Sequence, residues 1–300
     1  MSEIAGCVLC GGTVAPDGYC WDCGAAQPSF RSRVEITADG GAAGISDRGR
    51  HRGINADAMA LSTVGSWTVG VVCDGVSMSP RSERAAQVAA EVGVTVLAAR
   101  LREGVLPEIA LGDSARRAAR AVAGLAASVH AAPACTYVAG IAGPEGIWSA
   151  WIGDSRAYWL PDEGPGMALT EDDTGRHEAL SAWLGADAGE PAPHIRSYRP
   201  SVPGRLLLCT DGLWRYLPDV AALRGVLPRR PIAPSAGSDL LEDTRSLVRY
   251  ALDAGGHDNI TALLIPVAPA APTATVTGHQ RQSAAVLPPR GPVPLPRDKG

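Results

Sequence analysis

The chain has 300 residues, 46 % of them apolar and 19 % charged, the balance of an ordinary folded protein with room for one large domain or two smaller ones. A net charge of −4 argues against nucleic acid or an anionic membrane surface as the partner. No stretch approaches the roughly 18 consecutive apolar residues of a membrane-crossing helix, and the opening MSEIAGCVLC has neither the basic start nor the apolar core of an export signal. The expectation is a cytoplasmic protein.

Residues 1–27 form the first predicted unit. CVLCGGTVAPDGYCWDCG sets Cys7, Cys10, Cys20 and Cys23 as two C-x2-C pairs nine residues apart. Four thiolates on two tight knuckles suit tetrahedral Zn2+, and Gly11, Gly18 and Gly24 supply the permissive backbone. So short a segment has no core, so the metal would provide its folding energy. A redox CxxC pair is the competing use, but it belongs in a strand–helix context that this segment lacks. Cys73, Cys135 and Cys209 lie in or beside apolar, strand-like runs and read as small core residues. A disulfide framework is not expected in a chain of this size without an export signal.

Residues 31–267 alternate strand-like and helical patterns. Strands are predicted at VEIT, WTVGVVC, CTYVAGIA, IWSAWIG, RAYWL, RLLLC and ITALLIPV, runs rich in β-branched and aromatic residues and bounded by Gly, Pro or Asp. Helices are predicted at Ser82–Arg102, Ser114–His130 and about Asp239–Asp253, with Ser82 and Ser114 as candidate N-caps. Two helices fall between the second and third strand runs and hairpin-like strands follow. That order excludes strict βαβ winding and predicts an α+β fold of antiparallel sheets with helices packed outside. Residues 268–300, rich in Pro and Ala, cannot bury enough apolar surface to order themselves and are predicted to be a disordered tail. Its PPRGPVPLP stretch favours polyproline II and could meet a partner domain.

Two apolar runs stop on an Asp-Gly pair, at VVCDGVS and LLLCTDGLW. Singly, such an acid is a turn residue or a helix cap. Asp57, Asp74, Asp154, Asp211 and Asp258 all stand at the mouths of predicted strands, however. Carboxylates gathered there would repel one another unless cations offset them. Oxygen ligands without clustered His or Cys point to Mn2+ or Mg2+. Gly75 after Asp74 would let the backbone approach a metal and offer its carbonyl.

Taken in order, SDRGRHRGINADA, VVCDGVS, WIGDSRAYWL, ALTEDDT, LLLCTDGLW and GGHDNITALLIPV resemble the type-2C metal-dependent protein serine/threonine phosphatases, above all bacterial ones, over about residues 33–267. The resemblance implies a central antiparallel β-sandwich flanked by helices in αββα layers, with a two-metal site at one end. It implies Asp74 as the bridging ligand, Gly75 as a carbonyl ligand, and Asp211 and Asp258 as completing the first metal. Asp154 would help hold a third ion, Asp57 would lie beside the second, and Arg52 would grip the substrate phosphate. The implied partners are phosphorylated proteins, the substrates of a Ser/Thr kinase. The chemistry agrees independently: phosphate monoesters hydrolyse very slowly in water. Two cations about 3.5–4 Å apart can ionise a water and offset charge in an in-line displacement without a protein nucleophile. Arg, with its planar fork, suits a phosphate better than Lys.

Three departures stand out. Ala56 occupies a position where the family usually has an acid, the Gly-Gly that follows the family's Asp-Gly is replaced by VSMSPRSERAA, and Thr174–Pro203, where the family carries a variable flap, holds the short amphipathic EALSAWLGADA. Ala56 favours a second reading, a degenerate domain that binds phosphoproteins as an adaptor; the retained acids and Arg52 favour catalysis. Cys209 to Arg215 also fits C-x5-R, the phosphate loop of cysteine-dependent phosphatases, but Asp211 inside such a loop would repel the substrate. His257, beside Asp258, is a candidate proton donor to the leaving group; the plainer reading is a loop residue. Arg-rich, Phe-poor composition suggests a bacterial, GC-rich coding source.

Overall fold

Two antiparallel sheets stack face to face in this computed structural model, which describes residues 6–15, 18–28, 31–228 and 237–270. In chain order come β1 (Arg33–Thr37), β2 (Ala43–Asp47), β3 (Ala58–Val64), β4 (Trp67–Cys73), α1 (Ser82–Arg102), α2 (Pro107–Ala123), β5 (Ala134–Cys135) and β6 (Tyr137–Gly143). Then follow β7 (Gly146–Ile152), β8 (Arg156–Pro161), β9 (Met167–Ala168), β10 (Leu184–Gly185), β11 (His194–Tyr198), β12 (Gly204–Cys209), α3 (Asp211–Trp214), α4 (Val220–Val226), α5 (Gly237–Asp253) and β13 (Ile260–Val267). One sheet has the order β1-β2-β13-β12-β8-β9, the other β11-β7-β6-β4-β3, and β5 pairs with β10 on its own.

Three apolar layers result. Val72, Val138, Trp159, Leu206 and Leu263 fill the space between the sheets. Helices α1 and α2 cover the outer face of the five-stranded sheet on an alanine-rich layer that includes Ala86, Ala90 and Tyr137. Helix α5, with α3 and α4, covers the outer face of the other sheet through Leu207, Leu247 and Val248. With helices outside both sheets, central strands are buried on both faces, which is why WTVGVVC and IWSAWI read as continuous apolar runs rather than alternating ones. The fold is the αββα sandwich the resemblance implies. The sheets approach closely where Gly70 pairs with Gly140: a Cβ there would meet the methyls of Leu263 and Leu206 at 2.9 and 2.8 Å.

Several boundaries differ from the sequence reading. The second helix starts at Pro107, at the first helical position, where its missing N–H costs nothing. It ends at Ala123, so it does not run from Ser114 to His130. Ser114 is therefore no N-cap. It is buried mid-helix, donating to the Gly93 carbonyl at 2.7 Å and bonding the Tyr137 hydroxyl at 2.7 Å. Ser82 is the first residue of α1, not its cap; that place belongs to Arg81, in the left-handed region at φ 53°. EALSAWLGADA forms no α-helix but contains the short β10. Strands β3 and β11 escaped the sequence reading because polar residues break their apolar runs, and β2, AGISD, because it is short and has a single large apolar residue, Ile45.

The N-terminal unit folds back on itself through isolated pairings of Val14 with Cys20 and Tyr19 with Ala26. It rests on the larger domain, where the Tyr19 hydroxyl donates to Gln87 at 3.4 Å and Arg48 donates to the Pro28 carbonyl at 3.4 Å. Of the predicted tail, residues 271–300 lie outside the described residues; before them, Ala270 N–H donates to the Pro200 carbonyl at 2.8 Å. Among the described residues no helix is long and apolar enough to cross a membrane.

Candidate active site

Antiparallel register gathers the acids. Cys73, the last residue of β4, pairs with Ala58, the first of β3, so Asp74 and Asp57 leave the five-stranded sheet side by side. In the other sheet Cys209, at the end of β12, pairs with both Ala262 and Arg156. Asp211, Asp258 and Asp154 therefore lie at one end of that sheet, beside the exit of β12 and the entries of β13 and β8.

Each acid has its own holder. The Asp74 N–H donates to the Thr136 hydroxyl at 3.0 Å, while Thr136 N–H returns to the Asp74 carbonyl at 2.8 Å. Gly75 follows where only glycine fits: a Cβ would lie 2.7 Å from the Ser82 carbonyl oxygen and 2.8 Å from that of Ala56. Asp57 is 3 % exposed, and its Oδ2 accepts from Thr210 and from Thr261, each at 2.8 Å. Asp211 opens α3 and accepts from Arg215, one turn on, at 2.8 Å. Asp154 is buried in the β7–β8 turn, and its carbonyl takes the Trp214 indole N–H at 2.9 Å. Asp258 receives both arms of Arg52, Nε at 2.7 Å and Nη2 at 2.5 Å.

The electrostatics of this end are those of crowded acid. Burial pushes the Asp57 carboxyl up to about 7, with the charges of Asp211 and Asp258 adding to it against the two threonine hydroxyls. Asp74 is held well above the usual carboxylate range by burial, then by Asp57, Asp211, Asp154 and Asp258. Asp154 rises to about 6 through burial and the nearness of Asp211 and Asp172. Two oxygens, Asp57 Oδ1 and Asp211 Oδ1, are buried without a hydrogen-bond partner among the described residues. An orphaned buried carboxylate oxygen costs free energy unless something positive meets it. The donor set, carboxylates with a close-approaching glycine backbone, is that of a hard divalent cation. These residues fit such ions. They do not close around one point: among the described residues only the four cysteines bring three or more ligand atoms within 4.8 Å of one another.

The structure adds residues that the sequence did not single out. Asn259 takes the Ala56 N–H on its side-chain oxygen at 2.8 Å and donates to the carbonyls of Arg48 and Ile54 at 2.8 and 2.9 Å. One amide thus shapes the loop that carries Arg52. Thr210 and Thr261 hold Asp57, and Thr136 bonds Ser155 at 2.7 Å beneath Asp74. A polar residue interrupting an apolar run, as Thr210 does, is the only trace these leave in the sequence. Arg50 donates to the Leu252 carbonyl at 2.7 Å, away from the acids. His257 stacks on His51 with ring centroids 4.7 Å apart, both exposed.

The cysteine-phosphatase pattern does not hold. Cys209 is fully buried, and burial pushes its thiol up, away from the thiolate that such chemistry needs. Arg215 sits on Asp211 instead of framing a phosphate loop.

At the N-terminus the four cysteine sulfurs converge. Cys7 and Cys23 Sγ are 3.7 Å apart, and Cys10 and Cys20 Sγ 3.6 Å. A tetrahedron with metal–sulfur bonds of about 2.3 Å has edges of about 3.8 Å, so this set fits zinc. Backbone N–H groups of Cys10 and Leu9 lower the Cys7 thiol to about 6. Gly11 and Gly24 turn the two knuckles at φ 75° and 70°.

Comparison with known proteins agrees with this geometry. A curated protein of Mycoplasma pneumoniae, provisionally named a protein phosphatase, is 29 % identical over 154 residues, 44 % of this chain. The chain spans about half the length of that relative, 55 %. The crystal structure of the Mycobacterium tuberculosis serine/threonine phosphatase PstP/Ppp superposes with a TM-score of 0.58 at 24 % identity, over 76 % of this chain and 98 % of its own. A PstP catalytic domain in complex with two manganese ions gives a TM-score of 0.54 at 25 % identity, over 75 % of this chain and 97 % of its own. A family model described as Protein phosphatase 2C matches residues 48–235, more than half of the chain, and with the sandwich and its acidic end this places the chain in the protein phosphatase 2C family.

Proposed function

We propose that the chain is a metal-dependent protein phosphatase that releases phosphate from phosphoserine and phosphothreonine in proteins. The observation that carries this reading is the pair of buried oxygens without a hydrogen-bond partner among the described residues, Asp57 Oδ1 and Asp211 Oδ1, inside a group of acids where burial and neighbouring carboxylates raise Asp57 and Asp74. Neutral or hydrogen-bonded acids would serve a purely structural end better. The wide spacing of the acids suits two cations, as the manganese-bound relative carries, with Asp154 placed for a third.

In this reading Asp74, the Gly75 carbonyl, Asp211 and Asp258 would hold the ions, with Asp57 beside the second. Mn2+ or Mg2+ there would lower the pKa of water and offset charge on the phosphoryl oxygens. Arg52 is a planar fork that already grips two carboxylate oxygens on Asp258, and a phosphate dianion offers the same pair. Asn259 fixes the loop that aims it. Asp57 stays anchored because Thr210 and Thr261 both point at one of its oxygens and leave the other free. The division that follows is a zinc-binding unit at residues 1–27, the phosphatase domain at 31–267 and a Pro-rich tail at 268–300. Zinc on Cys7, Cys10, Cys20 and Cys23 would hold the first. Exposed Val8, Leu9 and Trp21 offer it a surface for a partner. The protein substrates would be those of a cytoplasmic bacterial Ser/Thr kinase.

The test is manganese-dependent phosphate release from a phosphothreonine peptide by the wild type and by Asp211→Asn. We expect loss of at least about 100-fold. Equal rates would remove the assignment, and absence of turnover in the wild type would leave the adaptor reading that Ala56 invites.

A further inference from the structure

The segment after Gly75 and the flap face each other across a cleft of about 390 Å³ lined by Val76, Met78, Pro80, Leu180 and Trp183. A second cleft of about 300 Å³ joins it at Trp183 and Asp187 and runs along the flap. Three features set this groove apart. Its floor begins at Val76, two residues and so at most about 7 Å along the chain from Asp74. Its far wall is held in place: β10 pairs with β5, Cys135 of β5 pairs with Gly75, and Leu180 pairs with Thr174. Asp173 anchors the flap base, accepting from the Gly153 N–H and bonding His194, each at 2.9 Å. Met78 at the groove rim is also 95 % exposed, and Val76, Leu180 and Trp183 are half-buried. An exposed Met and a half-buried Trp beside the loop that follows Asp74 give a contact surface that costs little to dry.

We propose that this groove is the subsite for an apolar side chain flanking the phosphorylated residue of the protein substrate, a proposal that rests on the phosphatase reading above. Among the described residues no Lys or Arg lines either cleft, while Asp187 and Glu190 do, with His130 as the one side chain able to carry positive charge, so the groove disfavours acidic neighbours. The indole of Trp183, tied to Asp187 at 3.0 Å, presents its ring to both clefts and is the main discriminating contact. Because Val76 on the groove floor lies two residues from Asp74, a flanking side chain would enter the groove while the phosphate reaches Arg52 and Asp74.

The experiment compares kcat/KM of the full chain with manganese on two phosphoserine peptides, identical except for Leu or Asp at the flanking positions, with an aryl phosphate as reference. The wild type should favour the Leu peptide on the order of tenfold. Trp183→Ala should bring the two peptides within about threefold of each other, as should Met78→Ser, a change at a solvent-exposed position that the fold tolerates. The ratio of the peptides is the readout, so a general loss of active protein does not mimic it. Equal turnover of both peptides by the wild type, or full preference retained by both variants, overturns the subsite while aryl phosphate turnover leaves the catalytic reading standing. No turnover of any of the three sinks the catalytic reading and the subsite with it.

Discussion

The two candidate metal sites of this protein are built in opposite ways. The cysteine knuckle draws its ligands from 17 consecutive residues, Cys7 to Cys23, and gathers their sulfurs within 4.8 Å. The acidic end draws Asp57, Asp74, Asp154, Asp211 and Asp258 from six strands in two sheets and leaves them spread. A local site with no core behind it must pull its ligands together or it has no structure at all. A site carried by a sandwich inherits its spacing from the sheets, so its carboxylates stay apart, each carried by its own strand end. The contrast also explains the partners: the cysteines mainly have each other and a few N–H groups, whereas Asp57 has two threonines and Asp258 an arginine.

That difference can be broken most directly at the knuckle. Structural zinc contributes on the order of 10–16 kcal/mol of apparent binding free energy to small zinc modules. Cys20→Ser is therefore expected to take the zinc content from one ion per chain to none and to unfold the knuckle. Its contact with α1 through Tyr19 and Gln87 would go with it, as mass spectrometry and protease sensitivity of residues 6–28 would register. Aryl phosphate turnover should fall far less; if it collapses with the zinc, the two sites are not independent.

At the other end, Asp74→Asn removes a charge from the middle of the acid cluster. Phosphatase activity should drop at least about 100-fold, while the zinc content stays at one. The metal-free protein should be no less stable than the wild type, because a repelling, buried carboxylate has gone. A thermal melt in chelator that shows marked destabilisation would contradict the electrostatic account given for Asp74.

Thr210→Val should cost about 1–3 kcal/mol in urea unfolding of the metal-free chain. It deletes the 2.8 Å bond to Asp57 and the acceptor of the Thr261 N–H at 3.0 Å. A cost near zero would mean that the threonines do not hold Asp57. The smallest effect belongs to an ordinary ion pair remote from both sites. Arg100, then Arg116, hold the Asp113 carboxyl below its usual range. Its contribution is present above the unfolded carboxylate value of about 3.9 and is lost as pH falls through the lower folded value. Stability curves of Asp113→Asn and the wild type should converge in acid and separate slightly towards neutrality; separation that grows in acid would reverse the sign.

The legible part of the site was the part whose sequence neighbours betray it. Asp74 and Asp211 each end an apolar run on Asp-Gly, and that interruption is visible without coordinates. Asn259 and Thr210 were not legible, because an amide beside an aspartate or a hydroxyl at a strand end looks like any loop residue. Their partners, the carbonyl of Arg48 and the carboxylate of Asp57, lie 211 and 153 residues away. The fold class followed from the order of strands and helices, and β4, β7, β12 and β13 from continuous apolar runs. The start of α2 was missed because a mid-helix serine, Ser114, looks like a cap until its buried bonds to Gly93 and Tyr137 are seen.

What the sequence determined by itself was local: the four cysteines at zinc spacing, the glycines that turn them, the apolar strands, and acids placed where strands end. What tertiary structure decided was which of those ends meet. Antiparallel register puts the exits of β4, β12 and the turn before β8 beside the entries of β3 and β13. Pairing across sheets is a property of the whole packed core, and no window of sequence contains it. The same packing left Asp57 and Asp211 with a buried oxygen each that has no hydrogen-bond partner among the described residues.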